Sequence, residues 1–514
     1  MTIATTPASL DDPETLTVPR IHAAFAQGLF SAEDLTRACL DRIEAVNGHL
    51  NAIIFADPSA LEQARSIDRR RAAGDKLGPL AGIPVVIKDS IDLQGFPTTA
   101  GWSLLHEPTG GVALLPERDA PVAARMKAAD AVILGKTNIP ILSWTGTHAH
   151  DSWAGPTLNA VLENRVPGGS SAGTACAVAA QMCVLGLAEE TGGSIQNPAS
   201  AHGLVGIKPT IGLVPNVGVV PLSSNRDVVG PIARNVRDAA ICLDVIAGFT
   251  NQDPKTLASV GHIPAQGFAA GLGPDALRGR RIGLYGPGWR PDALSLETQA
   301  LYDRAQQLLR AAGAILIEDP FAGTDFNRHR QITPGTPFFD GRGLESLPYD
   351  MTCYLRRLGP EAPIRNWHDF VAATAAQDVL AKGAILGYLH ELPDFAAALA
   401  DPDHPPALPE FAALKATYLR LIDEVFDRHG LDALVYPQML AELPTVRSGE
   451  AIRETTVGEL NIAGLPGVTL PAGRYASGAP FELIFLGRLW SEAMLLNLAH
   501  DCEGRLRQTG LPPA

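Results

Sequence analysis

Cysteine is sparse in this chain: six residues in 514, Cys39, Cys176, Cys183, Cys242, Cys353 and Cys502, none in C-x-x-C spacing. The scatter excludes the pattern of a zinc ribbon or dithiol redox site and reads as small apolar core residues in a reducing compartment. Basic side chains are in the minority, 41 against 55 acidic, for a formal net charge of −14. General nucleic-acid binding, which needs a basic surface to displace phosphate counterions, is excluded. The longest basic cluster, Arg69-Arg70-Arg71, has no aromatic platform after it and reads as a solvated helix face. No stretch approaches the roughly 20 apolar residues that span a bilayer. The richest, 172–188, is Ala-rich and interrupted by Gln181, as a buried helix would be. Residues 1–19 carry Asp11, Asp12 and Glu14 without a basic n-region or an apolar h-region, so no secretory leader and a cytoplasmic location are expected. No Ser-x-x-Lys occurs, which argues against a penicillin-binding arrangement.

What is present is a core-rich composition, 46 % hydrophobic and 19 % charged. Short apolar runs at 83–87, 131–134, 281–285, 314–317, 431–436, 467–470 and 481–486 predict strands. They alternate with helical patterns at 122–129, 172–187, 295–312, 409–428 and 491–505, and 21–54 is also helical in period, with a helix start at Ser31. The expected class is α/β, a large mixed sheet covered by helices on both faces. Residues 1–18 read as an N-terminal arm, 19–505 as one domain and 506–514 as a C-terminal tail. Within the domain, 321–408 breaks the strand-helix rhythm and reads either as an inserted helical cap or as a helical excursion packed on the sheet.

The chemistry concentrates in Val166-Pro-Gly-Gly-Ser-Ser-Ala-Gly-Thr-Ala and Glu189-Glu-Thr-Gly-Gly-Ser-Ile-Gln. Two Gly-Gly-Ser units end at Ser170 and Ser194. Glycine pairs let a backbone turn sharply and aim consecutive N–H groups at one point. Thr191, Gly192, Gly193 and Ser194 can thus supply an oxyanion hole with the Ser194 hydroxyl beside it as nucleophile. The base is open between His202, eight residues on, and Lys88, at the end of an apolar strand. Strand alternation turns Lys88 away from Asp89, and burial can strip its charge. A lysine at a strand end that snorkels to water fits the spacing as well.

Gly168-Gly-Ser-Ser-Ala-Gly, Thr191-Gly-Gly-Ser-Ile and Gly203-Leu-Val-Gly-Ile-Lys-Pro-Thr resemble the signature of the amidase signature family of serine hydrolases. Gly82-Ile-Pro-Val-Val-Ile-Lys-Asp-Ser, Gly230-Pro-Ile-Ala-Arg and Asn461-Ile-Ala-Gly-Leu-Pro extend the resemblance over most of the chain. It implies Ser194 as nucleophile, Ser170 as a bridging serine on a cis Gly169–Ser170 peptide, and Lys88 as base, with Ser171 supporting. It implies an acyl-enzyme mechanism that needs no cofactor and no metal. Two positions depart from the family pattern: Glu190 stands for an aspartate and Gln196 for an arginine, so an ion pair becomes a carboxylate–amide hydrogen bond.

Three other readings compete. Gly169-x-Ser171-x-Gly173 fits a nucleophile elbow, which would make Ser171 the nucleophile of an α/β-hydrolase-like esterase, although no strand precedes it. His148 and His150 could suggest a metal-dependent amidohydrolase, without further ligands in view. The family also includes the glutaminase component of amidotransferase complexes. The pocket is expected between Leu142, Trp144, His148 and Trp153 on one side and Phe338, Phe339, Tyr349 and Tyr354 on the other, and aromatic walls suit apolar ligands. The expected activity is hydrolysis of small alkyl or aryl amides, as by an aryl acylamidase, with carbamates (urethanes) and esters as relatives. Partners are limited to such a substrate and water, in a monomer or homodimer, with no nucleic acid and no membrane.

Overall fold

The computed structural model describes residues 8–10, 12 and 15–508. Most of the 1–18 arm, including the leader reading on 1–19, and residues 509–514 of the C-terminal tail therefore lie outside the described residues. The last helix, Glu492–Gln508, runs through the first residues assigned to that tail.

Eleven strands form one mixed sheet: β1 Ile53–Ala56, β2 Pro84–Lys88, β3 Val132–Thr137, β4 Leu185–Glu190, β5 Val205–Lys208, β6 Val228–Ala233, β7 Arg281–Leu284, β8 Ile315–Ile317, β9 Ala433–Pro437, β10 Gly467–Arg474 and β11 Pro480–Leu486. Their order across the sheet is β1-β3-β2-β4-β6-β5-β10-β11-β9-β7-β8. β2 runs parallel to both β3 and β4, with Ile87 opposite Leu187. All seven predicted strands are present. β1, β4, β5 and β6 were not anticipated, and the helix predicted over 172–187 ends at Ala179. Gln181, at φ +61°, turns the chain out of that helix, and the rest of the apolar run enters the sheet as β4.

Both faces of the sheet are buried, as strand alternation shows. Leu483 and Phe485 of β11 face the largest cluster, with Leu495, Leu496 and Leu498 of the last helix. Ile484 and Leu486 face the opposite cluster, with Phe411, Tyr418 and Val425 of the helix Pro409–His429. The helix Ala32–Leu50 starts where the sequence places it: Ser31 Oγ accepts from the Asp34 amide at 3.0 Å while the Asp34 carboxylate accepts from the Ser31 amide at 2.8 Å. Segment 321–408 holds the helices Leu347–Arg357, Trp367–Ala373 and Phe395–Ala400 and no strand among the described residues. Leu347, Met351, Leu355, Trp367, Phe370 and Phe395 build a third cluster with Trp102, Leu105 and Ile139. Phe321 and Phe326, at its start, stay on the sheet against Trp289.

Candidate active site

Lys88 is the last residue of β2, buried on both flanks by β3 and β4, and its side chain is wholly enclosed. Its nitrogen Nζ lies 2.7 Å from Ser170 Oγ, 3.0 Å from the carbonyl oxygen of Glu189 and 2.7 Å from Glu189 Oε2. Lys88 therefore does not snorkel. Asp89 points to the other side of the strand, where it accepts from Thr99 Oγ1 at 2.6 Å and pairs with Lys136 at 3.2 Å. The carboxylate that meets Lys88 is Glu189 instead, which the motifs alone did not single out. The signal was available: Glu189 and Glu190 are adjacent on one buried strand, so they face opposite sides, and one of them must meet β2's side chains.

Ser170 sits on a cis Gly169–Ser170 peptide. Gly169 permits this loop to pass close to its neighbours, since a Cβ there would fall 2.6 Å from the Thr145 carbonyl oxygen. Ser171 stands at the start of the helix Ala172–Ala179, and its hydroxyl donates to the Glu189 carbonyl at 3.2 Å, the acceptor Lys88 also uses. Ser171 is buried and does not line the cavity, unlike the exposed serine an elbow would present.

Ser194 does line the cavity, together with Thr191 and Gly192. The amides of 191–194 donate no hydrogen bond among the described residues, whereas those of Ile195 and Gln196 are taken by Glu190 Oε2 at 2.8 and 3.0 Å. Glu190 also accepts from the Gln196 side chain and from Asn461 Nδ2 at 2.9 Å, so the carboxylate–amide bond expected of the two departures is made and two backbone amides and a second amide side chain join it. The 191–194 loop is thereby anchored from behind, with Thr191, Gly192 and Ser194 at the cavity. No hydrogen bond joins the Ser170 and Ser194 hydroxyls among the described residues.

His202 is a structural residue: Nδ1 lies 3.0 Å from the Pro198 carbonyl oxygen and Nε2 accepts from the Ala160 amide at 3.3 Å. Both ring nitrogens are engaged, and burial pushes its pKa down to about 4. The cavity measures about 420 Å³. Of the expected pocket residues, Trp144, His148, Phe338 and Phe339 line it. Leu142 lies in the buried wall behind, Trp153 stacks on His106 at 3.7 Å, Tyr349 lies outside the lining, and Tyr354 is buried with its hydroxyl on Asp92 at 2.9 Å. These four are corrections: Leu142 and Trp153 sit in a loop that turns them into packing contacts, and Tyr349 and Tyr354 lie on the helix Leu347–Arg357, which buries Tyr354 in the core and leaves Tyr349 off the cavity. His148 and His150 stack face to face at 4.3 Å, and burial pushes the His148 pKa down to about 4. No cluster of three metal-ligating side chains surrounds them or occurs elsewhere among the described residues.

Sequence reasoning missed several lining residues. Tyr388 and Arg330 contribute from 321–408, and Glu454, whose Oε1 accepts from Asn197 Nδ2 at 2.7 Å, contributes from the opposite side. Phe339 lies across Gly192, where a Cβ would meet its ring at 2.5 Å, and the buried Arg226 guanidinium stands 5.0 Å from the centre of that ring.

A family model described as Amidase matches residues 34–331. Among curated proteins, the A component of the glutamyl-tRNA(Gln) amidotransferase of Cereibacter sphaeroides is 34 % identical over 505 residues, covering 95 % of this chain and 96 % of its own. That of Moorella thermoacetica is 32 % identical, with 92 % and 93 % covered. Among solved structures, native peptide amidase from Stenotrophomonas maltophilia superposes with a TM-score of 0.78 at 32 % identity, covering 96 % of this chain and 97 % of that one. A peptide amidase in complex with the competitive inhibitor chymostatin gives 0.79 at 33 % identity, with 97 % and 98 % covered.

Proposed function

The chain belongs to the amidase signature family, enzymes that act on amides, and on that premise we propose a free-standing serine amidase that hydrolyses small alkyl or aryl amides, with carbamates and esters as related substrates. The observation that carries this reading is the 2.7 Å contact from Lys88 Nζ to Ser170 Oγ, behind a cavity lined by Thr191, Gly192 and Ser194. In the proposed mechanism neutral Lys88 takes the Ser170 hydroxyl proton as Ser170 takes that of Ser194, and Ser194 attacks the acyl carbon. The tetrahedral oxyanion is held by the amides of 191–194. The proton then returns through Ser170 to the leaving nitrogen, the C–N bond breaks, and water cleaves the acyl-enzyme by the same relay. Trp144, Phe338, Phe339 and Tyr388 supply apolar wall for the substrate, which favours uncharged groups. The reading includes a cytoplasmic location and a monomer or homodimer. Among the described residues no helix is long and apolar enough to cross a membrane.

A second reading, the glutaminase component of an amidotransferase complex, is favoured by the curated relatives named above. One experiment separates the two. The purified chain is treated with an alkyl fluorophosphonate and mapped by peptide, then assayed alone on anilides, carbamates, primary amides and glutamine. Modification of Ser194 with turnover of anilides supports the free-standing amidase. Turnover of glutamine alone sinks it, and modification of Ser171 instead of Ser194 overturns the mechanism.

A further inference from the structure

Glu189 stands where the relay needs a lysine with a directed lone pair. An ammonium has three hydrogens and no lone pair, whereas a neutral amine has two hydrogens and one. Around Lys88 Nζ the three partners are the Glu189 carbonyl, the Glu189 carboxylate and the Ser170 hydroxyl. Two of these only accept. A neutral Lys88 therefore donates both hydrogens to Glu189 and is left with its lone pair toward the one partner that can give up a proton, Ser170.

The far side of Glu189 is equally specific. Thr191 Oγ1 lies 3.1 Å from Glu189 Oε1 and 2.6 Å from Asp227 Oδ1, while Asp227 Oδ2 accepts from the amides of Leu222 and Ser223, each at 3.0 Å. One hydroxyl hydrogen cannot serve two carboxylates, so one of the pair holds a proton. Burial, and then the charge of Glu189, push the Asp227 carboxyl well above the ordinary carboxylate range. The consistent arrangement is Asp227 O–H donating to Thr191 Oγ1, and Thr191 O–H donating to Glu189 Oε1. Of the other charges, Asp89 and Lys136 pair on the far side of β2 and Glu190 faces Gln196 and Asn461 across β4, while the buried Arg226 donates from Nε to the Thr191 carbonyl at 3.2 Å and, like Asp350, acts on Asp227.

We propose that Glu189 is a positioning residue for Lys88: its carbonyl and carboxylate take both hydrogens of the neutral amine and fix the direction of the Nζ lone pair toward Ser170. This rests on the Ser-Ser-Lys reading above.

The test measures the second-order rate of inactivation by an alkyl fluorophosphonate at pH 8, with kcat and KM for a responsive anilide. Glu189→Asp shortens the reach of the carboxylate to Nζ, so kcat and the inactivation rate fall about tenfold or more at unchanged KM. Glu189→Gln keeps an acceptor oxygen at full reach for Nζ and an amide for Thr191, so it retains more of kcat than Glu189→Asp. A Glu189→Asp enzyme with wild-type kcat overturns the inference, as does a loss confined to KM. The Asp variant keeps the test decisive if the Gln variant does not fold. Failure of the parent reading looks different: Ser194 is then unlabelled in the wild type.

Discussion

Glu482 offers a quantitative check on how the sheet was built. It lies on β11, on the face that carries Ile484 and Leu486, opposite Pro471 of β10. Its side chain is buried, and neither carboxylate oxygen has a hydrogen-bond partner among the described residues. Burial pushes its carboxyl well above its ordinary value of 4.5, with Arg474 opposing more weakly. The folded protein therefore holds a proton there that the unfolded chain has already released, so this group's contribution is greatest below about pH 4.5 and is lost as pH rises toward the raised folded value. Within that window the slope is about 1.4 kcal/mol per pH unit. Glu482→Gln, which cannot ionise, should remove the slope. As pH rises above 5 the variant should gain on the wild type at about that slope until the raised folded value is reached. At about 2.1 cal/mol/K per residue the unfolding entropy of a chain this long is about 1 kcal/mol/K, so the slope corresponds to a relative Tm increase of about 1 °C per pH unit. Thermal unfolding of both proteins by circular dichroism at pH 5, 6 and 7 reads it directly. A difference in Tm that is the same at all three pH values would refute the assignment of Glu482 as a buried carboxylic acid.

Ser194→Ala should abolish fluorophosphonate labelling, and Lys88→Ala should lower its rate by about 10²–10⁴-fold at pH 8, measured by intact mass against time. Gly192→Ala places a methyl group 2.5 Å from the Phe339 ring, so the ring must leave the nucleophile loop; kcat/KM for an anilide should fall by about tenfold or more, and a wild-type value would show that Phe339 does not pack there. His202→Ala should leave labelling of Ser194 intact while costing about 1–3 kcal/mol of stability, seen as a lower Tm, because the Ala160 amide and Pro198 carbonyl lose their partner. In the wild type His202 is held neutral with its pKa down to about 4, so its contribution is complete above pH 6.5 and lost as pH falls toward 4. The His202 variant should accordingly show a flatter loss of Tm over that range.

The parts of this molecule that were legible in the sequence are those where a local pattern carries the whole constraint. A run such as Ile83-Pro-Val-Val-Ile is apolar on both faces, and a central strand is the short element that buries both. β6 is equally buried but contains Gly230-Pro231, and proline ordinarily argues against a central strand. Tertiary context overrides the rule there: a Cβ at Gly230 would lie 1.9 Å from the Ile207 carbonyl oxygen of β5, so the strands approach as closely as glycine allows. β4 was hidden for a different reason, since Leu-Gly-Leu-Ala-Glu-Glu has no period that separates it from the helix before it.

The same distinction governs the site. Lys88, Ser170 and Ser194 belong to contiguous motifs, so their types and spacing could be read along the chain. The cavity wall could not, because Phe339 turns inward on a loop with no repeating side-chain direction, and the way the helix Leu347–Arg357 is seated, which buries Tyr354, is set by tertiary packing. Glu189 falls between these cases. Once 185–190 is known to be a strand beside β2, alternation alone sends Glu189 and Glu190 to opposite faces, one to the lysine and one to the nucleophile loop. What concealed it was the assignment of that segment's first half to a helix ending at 187, which leaves Glu189 and Glu190 in a connection with no side-chain alternation to direct either at Lys88. A wrong element boundary of a few residues thus removed the carboxylate nearest the proposed base from view.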